Sequence, residues 1–267
     1  MRAVGQGSEM EPKRVDAGYG ASWVGDGWRA FAASPGMWIV LVIVFVLVLV
    51  ALQLVPLVGP LAAQLITPAL SGGLLLAARD SLAGKPLDVG QLFQPLTDEE
   101  TRAPMLVLGV LFLVAGLVAM AAAAAVFMST AGVTMWQHHG AMMTGDPMAI
   151  GAGAWLQMGF GITLAFLVGF ALWSVVLVLF YYAIPLVLFA GMKPGQSISV
   201  GLRGLGRNVL PLFVFSVIWL LLSIVATVPL GLGWLVLLPM TYGSWYASYR
   251  DVFEAGDEPT GKGPAPA

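Results

Sequence analysis

Long apolar runs separated by short polar stretches dominate the pattern of this chain. They predict six transmembrane helices, at residues 36–57, 61–78, 104–128, 159–190, 209–228 and 234–249. A bilayer core about 30 Å thick needs roughly 20 apolar residues per helix, which most of these runs supply. Proline and glycine between the first two runs, and again between the last two, predict tight turns. The pattern therefore predicts an all-α, polytopic membrane protein.

The two ends of the chain depart from this pattern. Residues 1–16 mix charges with glycine, and residues 254–267 are rich in glycine and proline. Such compositions bury too little apolar surface to fold, so both segments are expected to be disordered tails. The membrane domain is expected to occupy residues 17–253.

A short helix is predicted ahead of the first span. Val24, Trp28 and Phe31 fall on one side at helical spacing, with Trp23 beside them. Next to a membrane span, this spacing predicts an interfacial helix whose aromatic face lies in the headgroup layer. Pro35 then provides the first turn of the first span.

Composition agrees with a membrane protein and excludes several kinds of chemistry. Hydrophobic residues make up 59% of the chain and charged residues 10%, whereas soluble domains carry about 25% charged residues. There is no cysteine, which excludes thiolate catalysis and cysteine-based metal sites. The net charge of -2 argues against nucleic acid as a partner. The chain has no Ser/His/Asp set, metal triad or phosphate loop, so no enzymatic activity is expected.

All 12 Lys and Arg residues lie outside the predicted spans. They occupy the N-terminal segment, the 79–102 loop, the 191–208 loop and the C-terminal tail, whereas the 129–158 loop has none. Positive charges collect on the cytoplasmic side of membrane proteins. Both termini are therefore predicted to be cytoplasmic, in a multi-pass protein of the bacterial inner membrane.

Residues 27–80 and 201–251 are predicted to be an internal repeat of helical hairpins. In the second span of each hairpin, a proline is followed by a glycine and then by Arg-Asp at the same spacing. These residues are Pro68, Gly72, Arg79 and Asp80 in the first copy, and Pro239, Gly243, Arg250 and Asp251 in the second. Two spans separate the copies, so a pseudo-twofold axis along the membrane normal is expected, as in parallel transporter repeats. The alternative is that similar apolar hairpins need similar turn and boundary residues.

Several segments resemble an uncharacterised family of bacterial predicted integral membrane proteins. They are GWRAFAASPGMW, LVPLVGP with TPALSGGLLLAARD, YYAIPLVL and, most specifically, the closing YASYRDVF. The resemblance covers about residues 25–255. It implies an inner-membrane protein of a proteobacterium with no assigned activity, and it does not extend to the 129–158 loop.

Three sets of residues are candidate sites. The first would contact lipid headgroups or a partner protein at the cytoplasmic edge, and its members are Arg29, Arg79, Asp80, Arg203, Arg250 and Asp251. The alternative is that these arginines anchor helix ends or pair with the aspartates. The second set would line a polar path beside the helix-interrupting prolines, and its members are Gln64, Thr67, Pro68, Ser71, Pro239 and Thr241. The alternative is hydrogen bonding between helices.

The third set is a candidate metal site in the 129–158 loop, with Met135, His138, His139, Met142 and Met143 as its members. If this stretch is helical, Met135, His139 and Met142 or Met143 share one face. Thioether and imidazole ligands suit Cu(I), and Ag(I) by its similar softness. The alternative is that an interfacial helix simply tolerates these residues. No other cofactor is expected.

The sequence therefore favours a non-enzymatic inner-membrane protein with an accessory, assembly or lipid-contacting role. Its expected partners are membrane lipid, another membrane protein or a second copy of the chain. One alternative is a transporter of a small neutral solute through the interface of the two hairpins. Another is periplasmic handling of Cu(I) or Ag(I) by the His/Met loop.

Overall fold

The computed structural model describes residues 10–145 and 150–254, and every regular element in these ranges is helical. The α-helices are α1 Tyr19–Ala33, α2 Pro35–Gln53, α3 Val58–Leu82, α4 Gln94–Thr97, α5 Glu99–Phe127, α6 Val133–Gln137, α7 His139–Thr144, α8 Ala152–Tyr181, α9 Ala183–Ala190, α10 Pro194–Arg207, α11 Val209–Thr227 and α12 Trp234–Tyr249. A 3₁₀ turn covers Val89–Leu92, and π-helical turns cover Met128–Gly132 and Arg250–Glu254. Residues 1–9 and 255–267 of the predicted tails lie outside the described residues.

Five helical segments are long and apolar enough to cross a membrane. They are Pro35–Gln53, Val58–Leu82, Glu99–Gln137, Ala152–Ala190 and Val209–Thr227. Each coincides with one of the predicted spans, so the all-α membrane fold is confirmed. The predicted sixth span corresponds to α12, which is shorter, with 16 residues.

The chain divides into two compact units, one formed by residues 1–109 and 181–267 and the other by residues 110–180. In the first unit each helical hairpin has an outer and an inner helix. Only 22% of the most apolar 18-residue stretch is buried in each of the outer helices α2 and α11, whereas the corresponding share for α3 is 67%. The inner helices α3 and α12 pack against each other and supply many of the fully buried side chains, including Leu70, Leu74 and Tyr249.

The turns of the two hairpins share unusual backbone geometry. Leu57 and Leu230 are the two non-glycine residues with positive φ in the described ranges, and each follows a proline. Positive φ is uncommon for such residues, so its recurrence at the same turn position is informative. Beyond each turn, a glycine lies against the outer helix seven residues earlier: Gly59 against Leu52, and Gly233 against Ala226. These parallels support the predicted repeat, which stays a prediction.

The helices that precede the two hairpins pack differently. α1 lies against α12, α11 and α3, whereas α10 lies mainly against α9. The pairing of α1 with the other hairpin is therefore not repeated by α10.

The packing of α1 also differs from the predicted headgroup position. Trp23 is fully buried and Phe31 is 8% exposed, and only Trp28 remains half exposed. The reason is a glycine face: a Cβ on Gly20 would overlap the Pro211 carbonyl oxygen, and a Cβ on Gly27 would overlap that of Met240. Small residues let helix backbones approach closely, so α1 docks on protein.

The second unit is a long helical hairpin. α5 and α8 pack through small residues, since a Cβ on Gly169 would lie 3.1 Å from the Cβ of Ala123. Phe112 packs edge-on against Trp173 at 5.5 Å and Phe180 at 5.2 Å. Between the two helices the chain passes through the π-helical turn, α6 and α7, where the predicted His/Met site lies.

Candidate functional sites

A buried carboxylate, Asp26, joins α1 to the end of α12. Asp26 is only 6% exposed, and both Arg29 and Arg250 donate to its carboxylate, Arg250 at 3.1 Å. Arg250 also donates to Asp251 at 3.0 Å, and the indole of Trp23 donates to the other oxygen of Asp251 at 3.0 Å. These five residues are called the Asp26 cluster below. A buried carboxylate without partners is costly, so the cluster holds α1 on α12.

The carboxylates of this cluster also maintain the charge of Arg250. Burial disfavours the charged guanidinium, but Asp251 and Asp26 outweigh that effect and raise the pKa of Arg250 above its ordinary value. Three of the six predicted edge residues, Arg29, Arg250 and Asp251, are thus brought together around Asp26. Their arrangement matches the alternative in which arginine pairs with aspartate.

A second Arg-Asp pair lies at the end of α3. Arg79 donates to Asp80 at 3.0 Å, and the Nζ of Lys85 lies 3.7 Å from the same carboxylate oxygen. Gln91 donates to the other oxygen at 2.8 Å, which ties the following loop to α3. The guanidinium of Arg79 also lies over the ring of Phe189, 5.5 Å from its centroid. Arg79 and Asp80 are therefore engaged within the first unit.

Arg203 differs from the other edge residues. It is exposed on α10, and none of the ion pairs within residues 10–145 and 150–254 includes it. The opposite face of α10 is buried, with a Cβ on Gly204 coming within 2.5 Å of the Phe253 ring. Arg203 is thus the one of the four predicted edge arginines that makes no ion pair among the described residues.

The segment before α1 is hydrogen-bonded to the same end of the first unit. The backbone NH of Lys13 donates to the carbonyl of Val252, and that of Val15 donates to the side chain of Asn208, both at 2.8 Å. Asn208 in turn donates to the Lys13 carbonyl at 2.8 Å, and Arg207 donates to the Pro12 carbonyl at 2.8 Å. Residues 12–15, within the predicted disordered tail, therefore contact the start of α11 and the end of α12.

The closing YASYRDVF segment packs through its aromatic residues. The ring of Phe189 lies 5.3 Å from that of Tyr246 and 5.4 Å from that of Tyr249. Tyr249 stacks on Phe253 at 5.7 Å. The hydroxyl of Ser248 lies 3.0 Å from that of Tyr181. Together with the Asp26 cluster, these contacts give most residues of the segment a packing role.

The predicted polar-path residues lie on α3 and α12, and most of them are paired. Thr67 donates to the carbonyl of Ala63 at 2.6 Å, and Ser71 lies 3.2 Å from the hydroxyl of Tyr242. Thr241 accepts from the Trp219 indole at 2.8 Å. The prolines of the set, Pro68 and Pro239, are buried. Gln64 is the exception, because its buried Oε1 has no hydrogen-bond partner among the described residues.

The segments around these prolines are closely packed. A Cβ on Gly73 would overlap the backbone of Leu92, and one on Gly72 would lie 3.4 Å from Pro95. A Cβ on Gly243 would lie 2.9 Å from the Cα of Gly27. Backbone atoms therefore occupy the space beside both interrupted helices.

The His/Met residues border a groove of ≈ 640 Å³ in the second unit. Its lining includes Met128, Met135, Trp136, His139, Met142 and Met143. The helix breaks at His138, which is not among the lining residues, so the two histidines are separated. The structure therefore brings together four of the five predicted metal ligands and adds Met128. Residues 146–149 of this loop lie outside the described residues.

Sequence reasoning overlooked Asp26, Trp23 and Asn208, which hold the first unit together at its charged end. The sequence did contain a signal that Asp26 forms an ion pair, because it lies three residues before Arg29 on a helix whose other residues are uncharged. The side chain of Asn208 makes contacts 193 and 195 residues away in sequence. Nothing in the local sequence indicates those partners.

Comparison with known proteins gives one informative similarity. No family model matches the chain, and no solved structure matches it. A protein of Burkholderia thailandensis named a "probable inner membrane protein" is 26% identical over 271 residues, covering 91% of this chain and 94% of that protein. This similarity and the apolar helices together support an inner-membrane location, and the chain is an α-helical membrane protein.

Proposed function

We propose that the chain is a six-span, non-enzymatic accessory protein of the inner membrane, whose first unit is a closed scaffold with its charged edge in the cytoplasm. The observation that carries the proposal is the backbone packing around Pro68 and Pro239, where a transporter would hold its substrate. There α12 meets α1 through Gly243 and Gly27, and Gly73 of α3 lies against the backbone of Leu92. Ser71 faces Tyr242, its counterpart in the predicted repeat. A scaffold needs this kind of contact, whereas a polar path needs space.

The course of α11 and α12 supports a sixth crossing. α11 begins directly after Asn208, which is hydrogen-bonded to residues 13 and 15. α12 ends directly before the turn that contains Val252, whose carbonyl accepts from Lys13. The start of α11 and the end of α12 therefore lie at one end of the first unit. If α11 crosses the membrane, α12 has to cross back, although its 16 residues span only about 24 Å.

Single cysteines introduced into this cysteine-free chain test the topology. Cysteines replacing Ala83 and Glu254, both exposed, should react with a membrane-impermeant maleimide from the cytoplasmic side. A cysteine replacing the exposed Thr144 should react from the opposite side. Labelling is compared in spheroplasts and inverted vesicles. Reaction of Glu254→Cys together with Thr144→Cys would establish five crossings and contradict the proposal.

Reconstitution distinguishes the scaffold from the transporter. Liposomes that contain the purified protein should be no more permeable to small neutral solutes, such as glycerol, than protein-free liposomes, because the backbone of Leu92 packs against α3 and that of Gly27 packs against α12. After mild extraction, native mass spectrometry should show bound lipid or a bound protein.

Matched variants make this test specific. Faster solute entry that is lost in Ser71→Ala and kept in Ser174→Ala would establish transport. Ser174 is the control because its hydroxyl donates within its own helix, to Phe170 at 2.8 Å. Purified protein that carries neither lipid nor another protein in native mass spectrometry would also contradict the accessory role.

A further inference from the structure

The groove of the second unit presents several soft donor atoms on one surface. Its sulfurs come from Met128 in the π-helical turn, Met135 in α6, and Met142 and Met143 in α7. Methionine usually fills gaps in a core, yet Met128 is 61% exposed and Met143 is 86% exposed. These thioethers are therefore accessible rather than used as packing material.

His139 lines this groove and keeps one ring nitrogen available. Its Nδ1 lies 2.8 Å from the Trp136 carbonyl oxygen, and since a carbonyl can only accept, Nδ1 carries the proton. Nε2 then keeps its lone pair. The imidazole also stacks on the Trp136 ring, with centroids 5.4 Å apart. A backbone carbonyl that fixes the tautomer in this way is the usual support of a metal-binding histidine.

The donor set selects the class of metal. Thioether sulfur and neutral imidazole suit Cu(I), and Ag(I) by similar softness, whereas Mg²⁺ and Ca²⁺ need oxygen ligands. None of the residues that line the groove is acidic. Within the described residues, moreover, no group of three or more His, Asp or Glu side chains is arranged to hold a metal.

The helix that carries Met135 is long enough to reach beyond the hydrocarbon core. The segment Glu99–Gln137 has 39 residues, and at about 1.5 Å per residue it is about 58 Å long. Even at a tilt of about 40° it would cover about 44 Å along the membrane normal, against a core of about 30 Å. Since α5 begins at the charged loop, its far end can reach the outer surface, where metal ions are accessible.

We propose that the groove binds one Cu(I) or Ag(I) ion through Nε2 of His139 and two or three of the sulfurs of Met128, Met135, Met142 and Met143. This site goes beyond the accessory role and does not depend on it. His138 is excluded as a ligand. Its Nδ1 is also bonded to a carbonyl, that of Thr134 at 3.0 Å, but the residue does not line the groove.

Competition with a Cu(I) chelator tests the site on the purified full chain in detergent without oxygen. The wild-type protein should retain one Cu(I) against a micromolar concentration of bicinchoninate. His139→Ala should weaken binding by at least about tenfold, because even loss of a supporting group costs about 10- to 100-fold in metal affinity. A fourfold variant with leucine in place of Met128, Met135, Met142 and Met143 should weaken it at least as much, since leucine preserves the apolar volume. Copper-edge X-ray absorption should show sulfur and nitrogen neighbours.

His138→Ala and Met120→Leu are the matched controls, and both should bind Cu(I) as the wild type does. Met120 is exposed on α5 away from the groove lining. Metal-free thermal unfolding of each variant establishes that it is folded. Three results would each overturn the proposal: no copper retained by the wild type, equal loss in His138→Ala and His139→Ala, or unchanged binding in the fourfold leucine variant.

Discussion

Replacing Gly27 by alanine should detach α1 from α12 and lower the stability of the first unit by about 3 kcal/mol, the upper part of the range for overpacking. The new Cβ would overlap the carbonyl oxygen of Met240 and the hydroxyl of Ser244. A backbone carbonyl cannot rotate away, so the helices have to separate. Separation would expose Trp23 and strain the contacts of Asp26. The measurement is reversible unfolding in detergent, followed by tryptophan fluorescence.

Gly25 provides the matched control on the same helix. A Cβ at Gly25 would meet nothing within 4 Å, so Gly25→Ala should be neutral or more stable by up to about 1 kcal/mol, as expected for alanine in a helix. The two variants differ only in which side of α1 receives the methyl group. Equal stability of Gly27→Ala and Gly25→Ala would show that α1 does not pack on α12.

The spans could be predicted because a membrane helix leaves a strong local signal. The first was predicted at residues 36–57 and α2 covers Pro35–Gln53; the fifth was predicted at residues 209–228 and α11 covers Val209–Thr227. Proline and glycine set these ends through local backbone chemistry. A signal for which helices lie inside the first unit was overlooked: the buried α3 has a mean hydropathy of 1.6, against 2.9 for α2 and 2.7 for α11. Small and polar residues favour contacts between membrane helices.

The docking of α1 could not be predicted, because an amphipathic aromatic face suits both headgroups and protein. Gly20 and Gly27, seven residues apart on one face, were the overlooked signal.

The candidate metal site was predicted in part. Helical periodicity grouped Met135 and His139. The helix break at His138 was not predicted, because neither proline nor glycine directly precedes it in the sequence. Nothing in the periodicity indicated that Met128 would join the groove.

Removing Arg250 should destabilise the first unit by about 2 kcal/mol. Breaking a buried ion pair costs about 3–5 kcal/mol. The effect here should be smaller, because the Arg250 side chain is 40% exposed and Arg29 remains beside Asp26. Arg250→Met is the suitable change, since methionine retains much of the apolar volume. At about 2–4 °C per kcal/mol for chains of this size, the midpoint of thermal unfolding should fall by about 4–8 °C.

The double variant Asp26→Leu with Arg250→Met separates a specific pair from general packing. Asp26→Leu alone should be destabilising because it leaves Arg250 with one carboxylate fewer. When both charges are removed together, neither Asp26 nor Arg250 leaves the other without a partner, and Asp251 loses Arg250 no more than in the single variant. The loss should therefore be clearly smaller than the sum of the two single losses. Lys85→Met is the control. Its side chain is 64% exposed and its Nζ lies 3.7 Å from Asp80, and exposed pairs of this kind contribute about 0–1 kcal/mol. Additive losses in the double variant would mean that Asp26 and Arg250 stabilise the unit separately, and α1 would then be held on α12 by its glycine face alone.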